Sequence, residues 1–346
     1  MLPIDTDILL KMAENHCHQT VRRIEKIPQS GSVRLYFRIY LEDETTLMGV
    51  FNDDVSENRA FFEYTRFFAS QGVNVPQLLT IHENEKYYLL NDLGNETLFS
   101  FLTRHRNGQQ LTPEIIDFYK KTITQLPLIQ LSGRKGIDFS KAYPRAAFDR
   151  QSMQWDLNYF KYYFVKLAKI TFDEQKLEDD FQTLMNFLLQ CEDDFFLYRD
   201  FQSRNIMIHQ NQVYFIDYQG GRKGSYFYDI ASLLFDGKAD LSFEDRENFL
   251  DFYLSELQKH ITVDTKLFRK RFYAFALIRI MQAMGAYGYR GYFERKVHFL
   301  QSVPYAVHNM ENLLDTMELP IHIPELEKVL RGIIASDFVK PYQPAK

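Results

Sequence analysis

Residues 198–219 read Y-R-D-F-Q-S-R-N-I-M-I-H-Q-N-Q-V-Y-F-I-D-Y-Q and carry the strongest structural signal in the chain. Two short apolar runs, I-M-I and V-Y-F-I, flank the polar turn H-Q-N-Q, which predicts an antiparallel β-hairpin. Asn205 opens the first strand and Asp217 follows the second, so the hairpin brings these two side chains together. Asp200 stands just before them. The sequence therefore predicts one amide and two carboxylates at the end of a hairpin.

These three side chains suit the transfer of a phosphoryl group. Mg²⁺ takes oxygen ligands from few protein groups and leaves the rest to phosphate and water, and Asn205 and Asp217 supply such ligands. Asp200 would accept the proton of an attacking hydroxyl, as the catalytic-loop Asp of protein kinases does. The alternative reading, in which Asp200 starts a turn and Asn205 caps a strand, stays open because the Asp–Asn spacing alone is a weak pattern.

The rest of the chain divides into a strand-rich part and a helical part. With 346 residues, it is long enough for two lobes. Alternating apolar residues predict five strands before residue 92, and helical periodicity dominates after residue 95. We therefore predict a two-lobed α+β fold of the protein-kinase-like type. Its parts are a small antiparallel-sheet N-lobe at 1–92, a larger helical C-lobe at 93–320, and a C-terminal helix and tail at 321–346.

Composition narrows the class of protein. The net charge is −5, which argues against a general nucleic-acid binder because such proteins need a strong positive field. Cys17 and Cys191 are the two cysteines of the chain, so we expect a reducing, cytoplasmic setting rather than a disulfide framework. The longest apolar runs, such as Y-A-F-A-L-I at 273–278, are too short to span a bilayer, so no membrane partner is expected. The sequence does not indicate an oligomeric state.

Further motifs accompany the hairpin. They are R-D-F-Q-S-R-N-I-M-I, I-D-Y-Q-G-G-R-K-G and Y-D-I-A-S-L-L in the second part, with Y-F-R at 36–38, V-P at 75–76 and Y-L-L-N-D-L-G at 88–94 in the first. With these motifs the chain resembles the aminoglycoside phosphotransferase and choline kinase-like family. Within that family it is most similar to the anomeric sugar kinases that act on N-acetylmuramate and N-acetylglucosamine, which share the S-R-N and D-[FY]-Q motifs. The resemblance covers residues 20–320.

The resemblance implies ATP and Mg²⁺ as cofactors and a role for each matching residue. Asp200 matches the catalytic base, and Asn205 and Asp217 match the magnesium ligands. Asp229 matches an Asp that supports the catalytic loop. Nucleotide contacts are implied for a phosphate-covering turn and for the hinge between the lobes: Ser30, Gly31 and Ser32, and Asn91, Asp92 and Leu93.

The chain departs from the family pattern at two positions. Tyr198 stands where the family has a His, at a position that braces the loop. The third strand, T-T-L-M-G-V-F, lacks the Lys that reaches the α- and β-phosphates. Arg34 or Arg38 on the neighbouring strand is the candidate replacement, and we expect Arg38 to contact the nucleotide because Arg binds phosphate well. Glu57 or Glu63, on the helix that follows the third strand, is the candidate ion-pair partner for this arginine.

Four residues are predicted substrate contacts: Arg204, Gln219, Asp156 and Arg290. The first two adjoin the metal residues. Asp156 lies in the aromatic-rich W-D-L-N-Y-F-K-Y-Y-F, for which core packing is the alternative reading. Arg290 lies in G-A-Y-G-Y-R-G-Y-F-E-R-K, whose rings suit the apolar face of a sugar and whose guanidinium suits a carboxylate or phosphate. The alternative reading of this stretch is a helix end followed by a packed loop.

The sequence thus predicts an ATP- and Mg²⁺-dependent kinase of a small sugar, with the anomeric hydroxyl of N-acetylmuramate or N-acetylglucosamine as the expected acceptor, as in cell-wall recycling. A kinase of an aminoglycoside or a choline-like amine is one alternative, although basic residues near 220–223 and 285–296 disfavour a polycationic acceptor. A nucleotide-binding pseudokinase is another, favoured by the missing Lys. A protein kinase is disfavoured because the segment from Asp217 to Asp229 is too short for a peptide platform.

Overall fold

The computed structural model describes residues 5–28 and 34–339. The elements of its first part, the N-lobe, are α1 (Thr6–Cys17), β1 (Val21–Lys26), β2 (Leu35–Leu41), β3 (Thr46–Phe51), α2 (Val55–Ser70), β4 (Leu78–Ile81) and β5 (Tyr87–Asn91). The five strands form an antiparallel sheet in the order β1-β2-β3-β5-β4.

The sheet lies between helices α1 and α2, and strand alternation explains why. Residues on one face of β2, such as Leu35, Phe37 and Ile39, are buried in a small cluster with Leu9 of α1. Buried residues on the opposite face of β3 and β5 pack in one cluster with the aromatic side chains of α2. Helix α2 begins where the side chain of Asp54 accepts a hydrogen bond from the backbone N–H of Glu57, at 3.1 Å.

The second part is helical. Its helices are α3 (Leu98–His105), α4 (Pro113–Gln130), α5 (Arg150–Phe160), α6 (Glu174–Leu188), α7 (Phe227–Leu234), α8 (Phe243–Gln258), α9 (Thr265–Tyr287), α10 (Val297–Leu300), α11 (Val303–Thr316) and α12 (Pro324–Ala335). Two short antiparallel pairs interrupt them: β6 (Phe195–Leu197) with β9 (Arg222–Gly224), and β7 (Ile206–His209) with β8 (Gln212–Phe215). The middle of helix α9, residues 272–281, is buried on all sides, and the helix packs against α5, α7 and α11.

The two lobes meet through α2. The hydroxyls of Thr65 and Tyr218 are hydrogen-bonded at 2.6 Å, and the ring of Phe61 stacks on Tyr218 with centroids 5.3 Å apart. The hydroxyl of Tyr64 donates to the carbonyl oxygen of Gly221 at 3.2 Å. These contacts attach the N-lobe helix directly to the segment after β8. The predicted two-lobed α+β fold is confirmed, with a small antiparallel-sheet lobe and a larger helical lobe.

The C-terminal segment at 321–346, predicted to be a separate helix and tail, contributes α12 to the core of the C-lobe. The side chains of Leu326 and Leu330 on this helix are fully buried. The carboxylate of Asp180 on α6 accepts a hydrogen bond from the backbone N–H of Leu326 at 2.8 Å, which satisfies one of the unpaired groups at the helix start. Within the described ranges, no helix combines the length and apolarity that crossing a membrane requires.

Two π-helical turns, at 161–165 and 288–293, were not predicted from the sequence. Helical periodicity predicts one helix over 151–168, but the first π-turn ends α5 at Phe160. The turns pack closely together, because a Cβ atom placed on Gly288 would lie 1.8 Å from the backbone carbonyl oxygen of Tyr163. Position 288 therefore has no room for a side chain unless one backbone moves.

We expect Gly288→Ala to destabilise the protein by about 2–3 kcal/mol, the usual cost of overpacking a filled interior. Thermal unfolding should show a melting temperature lower by about 3–4 °C. Gly220→Ala is the matched control, since no heavy atom lies within 4 Å of a Cβ added there. A Gly288→Ala protein as stable as the control would contradict the close packing of the two turns.

Candidate active site

The catalytic hairpin of β7 and β8 has the register that the sequence predicts, with Ile208 opposite Val213. As a result the side-chain nitrogen of Asn205 lies 3.3 Å from a carboxylate oxygen of Asp217. The same nitrogen donates to the backbone carbonyl oxygen of Asp200 at 2.9 Å. The predicted meeting of these three residues is confirmed, and their chemical roles stay a prediction.

Asp217 is in an unfavourable electrostatic environment. Removal of water around it raises the pKa of its carboxyl to about 6, and the negative charge of Asp200 acts in the same direction. The side-chain amide of Gln219 opposes this effect, donating to Asp217 at 2.7 Å. A buried carboxylate that also experiences a second negative charge favours the presence of a cation.

The donor atoms at this place fit Mg²⁺. Asn205 and Asp217 offer an amide oxygen and a carboxylate, which are hard oxygen ligands. The side-chain oxygen of Gln219 is buried and accepts no hydrogen bond from any part of the chain that the structure describes. Such an acceptor is uncommon in folded proteins and is satisfied by a bound ion or water. The residues present therefore suit a divalent cation with phosphate and water as its other ligands.

Helix α7 holds the loop that carries Asp200. The carboxylate of Asp229 accepts hydrogen bonds from the backbone N–H groups of Tyr198, at 2.8 Å, and Arg199, at 3.1 Å. Complete burial raises the pKa of Asp229 to about 7, against the effect of these two bonds. Tyr198, which replaces the family's His, donates its hydroxyl to the carbonyl oxygen of Ile216, so it ties the loop to the residue before Asp217.

Asp156, one of the predicted substrate contacts, faces the catalytic loop instead. Both of its carboxylate oxygens accept hydrogen bonds from the guanidinium of Arg199, at 2.6 and 2.8 Å. The pair is largely buried. Arg199 itself has a φ of +84°, and Asp217 has a φ of +70°, both in the left-handed region that most residues avoid. We therefore assign Asp156 to positioning the loop rather than to binding substrate.

A second carboxylate, which the sequence analysis missed, fixes the other end of the loop. Asp236, just after α7, accepts hydrogen bonds from the backbone N–H of Ser203 at 3.0 Å and from its hydroxyl at 2.5 Å. Nothing in the local sequence distinguishes Asp236 from an ordinary loop Asp. Arg199 was also missed by the sequence analysis as a residue that positions the loop. Its position directly before Asp200 in the chain was the one signal that could have indicated this role.

Arg34 and Arg38 lie on the same strand and have different partners. The guanidinium of Arg38 binds both carboxylate oxygens of Asp92, at 2.5 and 3.0 Å, so it is engaged at the hinge. Arg34, immediately before β2, lies 3.4 Å from the carboxylate of Glu57 on α2, and its charge acts on Asp217. The expectation that Arg38 takes the place of the missing Lys is therefore corrected: the geometry favours Arg34, braced by Glu57.

We expect Arg34→Met to lower kcat/KM for ATP by about 100- to 1000-fold, the usual effect of removing one charged group that stabilises a transition state. Methionine keeps the length and apolar contacts of the buried stem. Arg38→Met is the matched control, because it breaks a buried ion pair on the same strand, and its effect should be at least tenfold smaller. Equal losses in the two variants would remove the distinction between these arginines.

The other predicted site residues fall in three places. Asn91 accepts a hydrogen bond from the backbone of Gln77 at 2.6 Å, and Asp92 and the buried Leu93 follow it between the lobes, as a hinge requires. Ser30, Gly31 and Ser32 lie outside the described residues. Arg204 is exposed beside Asn205, with its guanidinium 5.2 Å from the ring centroid of Phe99, and Arg290 lies in the second π-turn.

The family model described as "Phosphotransferase enzyme family" matches residues 23–262. That range includes most of β1, the other four strands of the N-lobe sheet, the catalytic hairpin and α7.

Two curated relatives are kinases named "N-acetylmuramate/N-acetylglucosamine kinase". The one from Neisseria meningitidis serogroup B is 28% identical over 47% of this chain and 47% of its own length. The one from Pseudomonas aeruginosa is 23% identical over 60% of this chain and 59% of its own length. The chain therefore spans about half the length of the curated relatives it matches.

Solved structures share the fold at low identity. A choline kinase from Cryptosporidium parvum has a TM-score of 0.58 at 14% identity and covers 94% of this chain and 100% of its own. An ADP-bound aminoglycoside phosphotransferase has a TM-score of 0.56 at 13% identity, and the match covers 88% of this chain and 97% of that chain. An amicoumacin kinase in complex with AMP-PNP, Ca²⁺ and its ligand has a TM-score of 0.59 at 12% identity, and the match covers 93% of this chain and 97% of that chain. These likenesses confirm the protein-kinase-like fold.

Proposed function

The chain belongs to the phosphotransferase enzyme family, and from that premise we propose that it is an ATP- and Mg²⁺-dependent kinase that phosphorylates a hydroxyl of a small sugar. The observation that carries the proposal is the meeting of Asp200, Asn205 and Asp217 at the end of one hairpin. A structural neighbour of the same fold binds an ATP analogue and Ca²⁺, which supports the choice of cofactors.

Each residue of the site has a defined task in this reaction. The hydroxyl oxygen of the sugar bonds to the γ-phosphorus of ATP, the bond from that phosphorus to ADP breaks, and Asp200 accepts the hydroxyl proton. Asn205 and Asp217 would hold Mg²⁺, which neutralises charge on the phosphates when bound. Arg34 adds a fixed positive charge next to Asp217. Catalysis then consists mainly of positioning and charge stabilisation.

The acceptor we propose is the anomeric hydroxyl of N-acetylmuramate or N-acetylglucosamine. The names of the two curated relatives support this choice, as do the S-R-N and D-Y-Q motifs of the hairpin. Choline-like amines and aminoglycosides are the alternative acceptors, because kinases of both kinds share the fold.

We also propose that the protein is located in the cytoplasm. Cys17 and Cys191 are both free thiols, which supports this location.

The proposal is tested by measuring ADP release with ATP and Mg²⁺ against a panel of amino sugars, choline-like amines and aminoglycosides. Phosphorus NMR of the product distinguishes an anomeric phosphate from a phosphate on another hydroxyl. Turnover of an N-acetylated amino sugar at its anomeric position is the expected result. Absence of turnover across the panel, with ATP still bound, would favour a pseudokinase and end the proposal.

A further inference from the structure

Four positively charged side chains act electrostatically on the imidazole of His298. They are Lys238, Arg204, Lys296 and Arg290, and we refer to them as the cationic rim. Partial burial lowers the pKa of His298, and the rim lowers it further because like charges disfavour the protonated ring. The rim draws its members from the catalytic loop, from the segment after α7 and from the residues that precede α10. These distant parts of the chain therefore converge on one place.

The rim adjoins the catalytic loop. Arg204 directly precedes Asn205, and Lys238 follows two residues after Asp236, the carboxylate that holds Ser203 of that loop. The short segments 203–205 and 237–239 both contact helix α3. The charge of Arg204 also lowers the pKa of Lys238, after the effect of its burial. One side of the rim is thus fixed to the residues that orient the proposed base and metal ligand.

Aromatic contacts fix the other side of the rim. The guanidinium of Arg290 lies 5.6 Å from the ring centroid of Phe299, and the rings of His298 and Phe299 are 4.5 Å apart. Phe299 in turn lies 6.3 Å from the ring of Tyr287. A Cβ atom added to Gly237 would lie 3.6 Å from the hydroxyl of Tyr287, so the segment that carries Lys238 contacts this aromatic cluster.

Negative charges nearby are already engaged. Glu294 forms an ion pair with Lys296 at 2.7 Å, and Asp236 accepts two hydrogen bonds from Ser203. Asp236 also acts on Lys238 in the opposite direction to Arg204. These two carboxylates therefore already have hydrogen-bond or ion-pair partners of their own. Clustered like charges repel one another in the folded protein, and a cleft lined by one sign of charge concentrates ligands of the other sign.

We propose that the cationic rim binds a negatively charged substituent of the acceptor, a carboxylate or a phosphate, and so makes the enzyme prefer an acidic sugar to a neutral one. This inference rests on the proposed function, because it places the acceptor beside Asp200. Because Arg204 directly precedes Asn205, the rim begins at the catalytic loop itself. It selects the acceptor by charge, whereas the hairpin carries out the transfer.

The test compares acceptors that differ in charge. N-Acetylglucosamine is neutral, N-acetylmuramate adds a carboxylate, and N-acetylglucosamine 6-phosphate adds a phosphate. At low ionic strength we expect kcat/KM for at least one acidic sugar to exceed that for the neutral sugar by about tenfold or more. The preference should weaken at high salt because ions screen exposed charges beyond about 8–10 Å at physiological strength. Comparison of the two acidic sugars distinguishes a carboxylate site from a phosphate site.

Lys238→Gln and Lys296→Gln should each reduce this preference severalfold. Lys259→Gln is the matched control: Lys259 pairs with Glu256 at 2.6 Å, as Lys296 pairs with Glu294 at 2.7 Å, but it lies at the end of α8 outside the rim. The control should keep the wild-type ratio of the two kcat/KM values. An unchanged ratio in both rim variants would overturn the inference.

Calorimetric titration of the three sugars into the AMP-PNP-loaded protein separates this inference from the proposed function. If the neutral sugar is phosphorylated as efficiently as both acidic sugars, the inference fails and the proposed function stands. If no sugar is phosphorylated, the proposed function fails, and the titration still decides the inference. Binding of an acidic sugar that weakens in Lys238→Gln would support the rim, and no preference for either acidic sugar would refute it.

Discussion

Asp200→Asn should lower kcat by about 100- to 10,000-fold, the usual contribution of a positioned general base. Asparagine has nearly the shape of aspartate but accepts no proton at neutral pH, so the hydroxyl of the acceptor would have to lose its proton to water. The hydrogen bond from Asn205 reaches the backbone carbonyl of residue 200, not its side chain, so the hairpin should keep its geometry. Initial rates of ADP release at saturating ATP and acceptor measure the effect.

Nucleotide binding is the internal control for this variant. Affinity for ATP and Mg²⁺, measured by calorimetry, should stay close to the wild-type value because Asp200 acts on the acceptor. Asp193→Asn is a matched control, since Asp193 is an exposed carboxylate paired with Lys223 at 3.4 Å. It should turn over normally. An Asp200→Asn protein with more than a tenth of wild-type kcat would exclude Asp200 as the base.

Asp217→Asn should have opposite effects on stability with and without the metal. In the metal-free protein the folded state raises the pKa of Asp217 to about 6, above its ordinary value of 3.8. The folded state therefore binds the proton more tightly, and stability falls as pH rises from about 4 to about 6. Above about pH 6 the charged carboxylate lowers the stability of the folded protein by a constant amount. Asparagine removes the charge and tolerates the positive φ, so the metal-free variant should melt higher than wild type at pH 8.

The order should reverse when ATP and Mg²⁺ are added. Ligand at a hundredfold excess over Kd stabilises a protein by about 3 kcal/mol, and wild type should gain this amount. The variant lacks the carboxylate ligand and should gain little. Melting curves at pH 5 and pH 8, each with and without ATP and Mg²⁺, measure both effects. A variant that responds to Mg²⁺ and ATP as strongly as wild type would exclude Asp217 as a metal ligand.

The hairpin was predictable from sequence because its chemistry is local. Asn205 and Asp217 lie at the two ends of a short strand–turn–strand unit, so strand alternation alone fixes their approach. The groups that hold the loop come from elsewhere in the chain. Asp156 is 43 residues from Arg199, and Asp236 is 33 residues from Ser203. A single sequence carries no signal that pairs such residues, and Asp229 was identified through family resemblance alone.

Strand periodicity could not decide between Arg34 and Arg38. The two positions are four residues apart, so both fall on the same face of an extended strand. What separates them is the carboxylate opposite each one, Glu57 of α2 or Asp92 after β5, and that depends on how the helix and the hinge pack. The apolar run K-Y-Y-F-V likewise continues a helical pattern, so sequence extended α5 past the point where the π-turn ends it.

The left-handed backbone at Arg199 and Asp217 has a consequence for attempts to engineer this protein. Such conformations cost of order 1–3 kcal/mol each for residues other than glycine, and here they flank the reacting groups. At Arg199 the largely buried ion pair with Asp156 offsets this cost, so a library selected only for heat resistance would be enriched in glycine or asparagine at position 217. Those clones would survive the selection and lose turnover. Directed evolution of this protein should screen for product formation in the same round, or leave the codon of Asp217 unchanged.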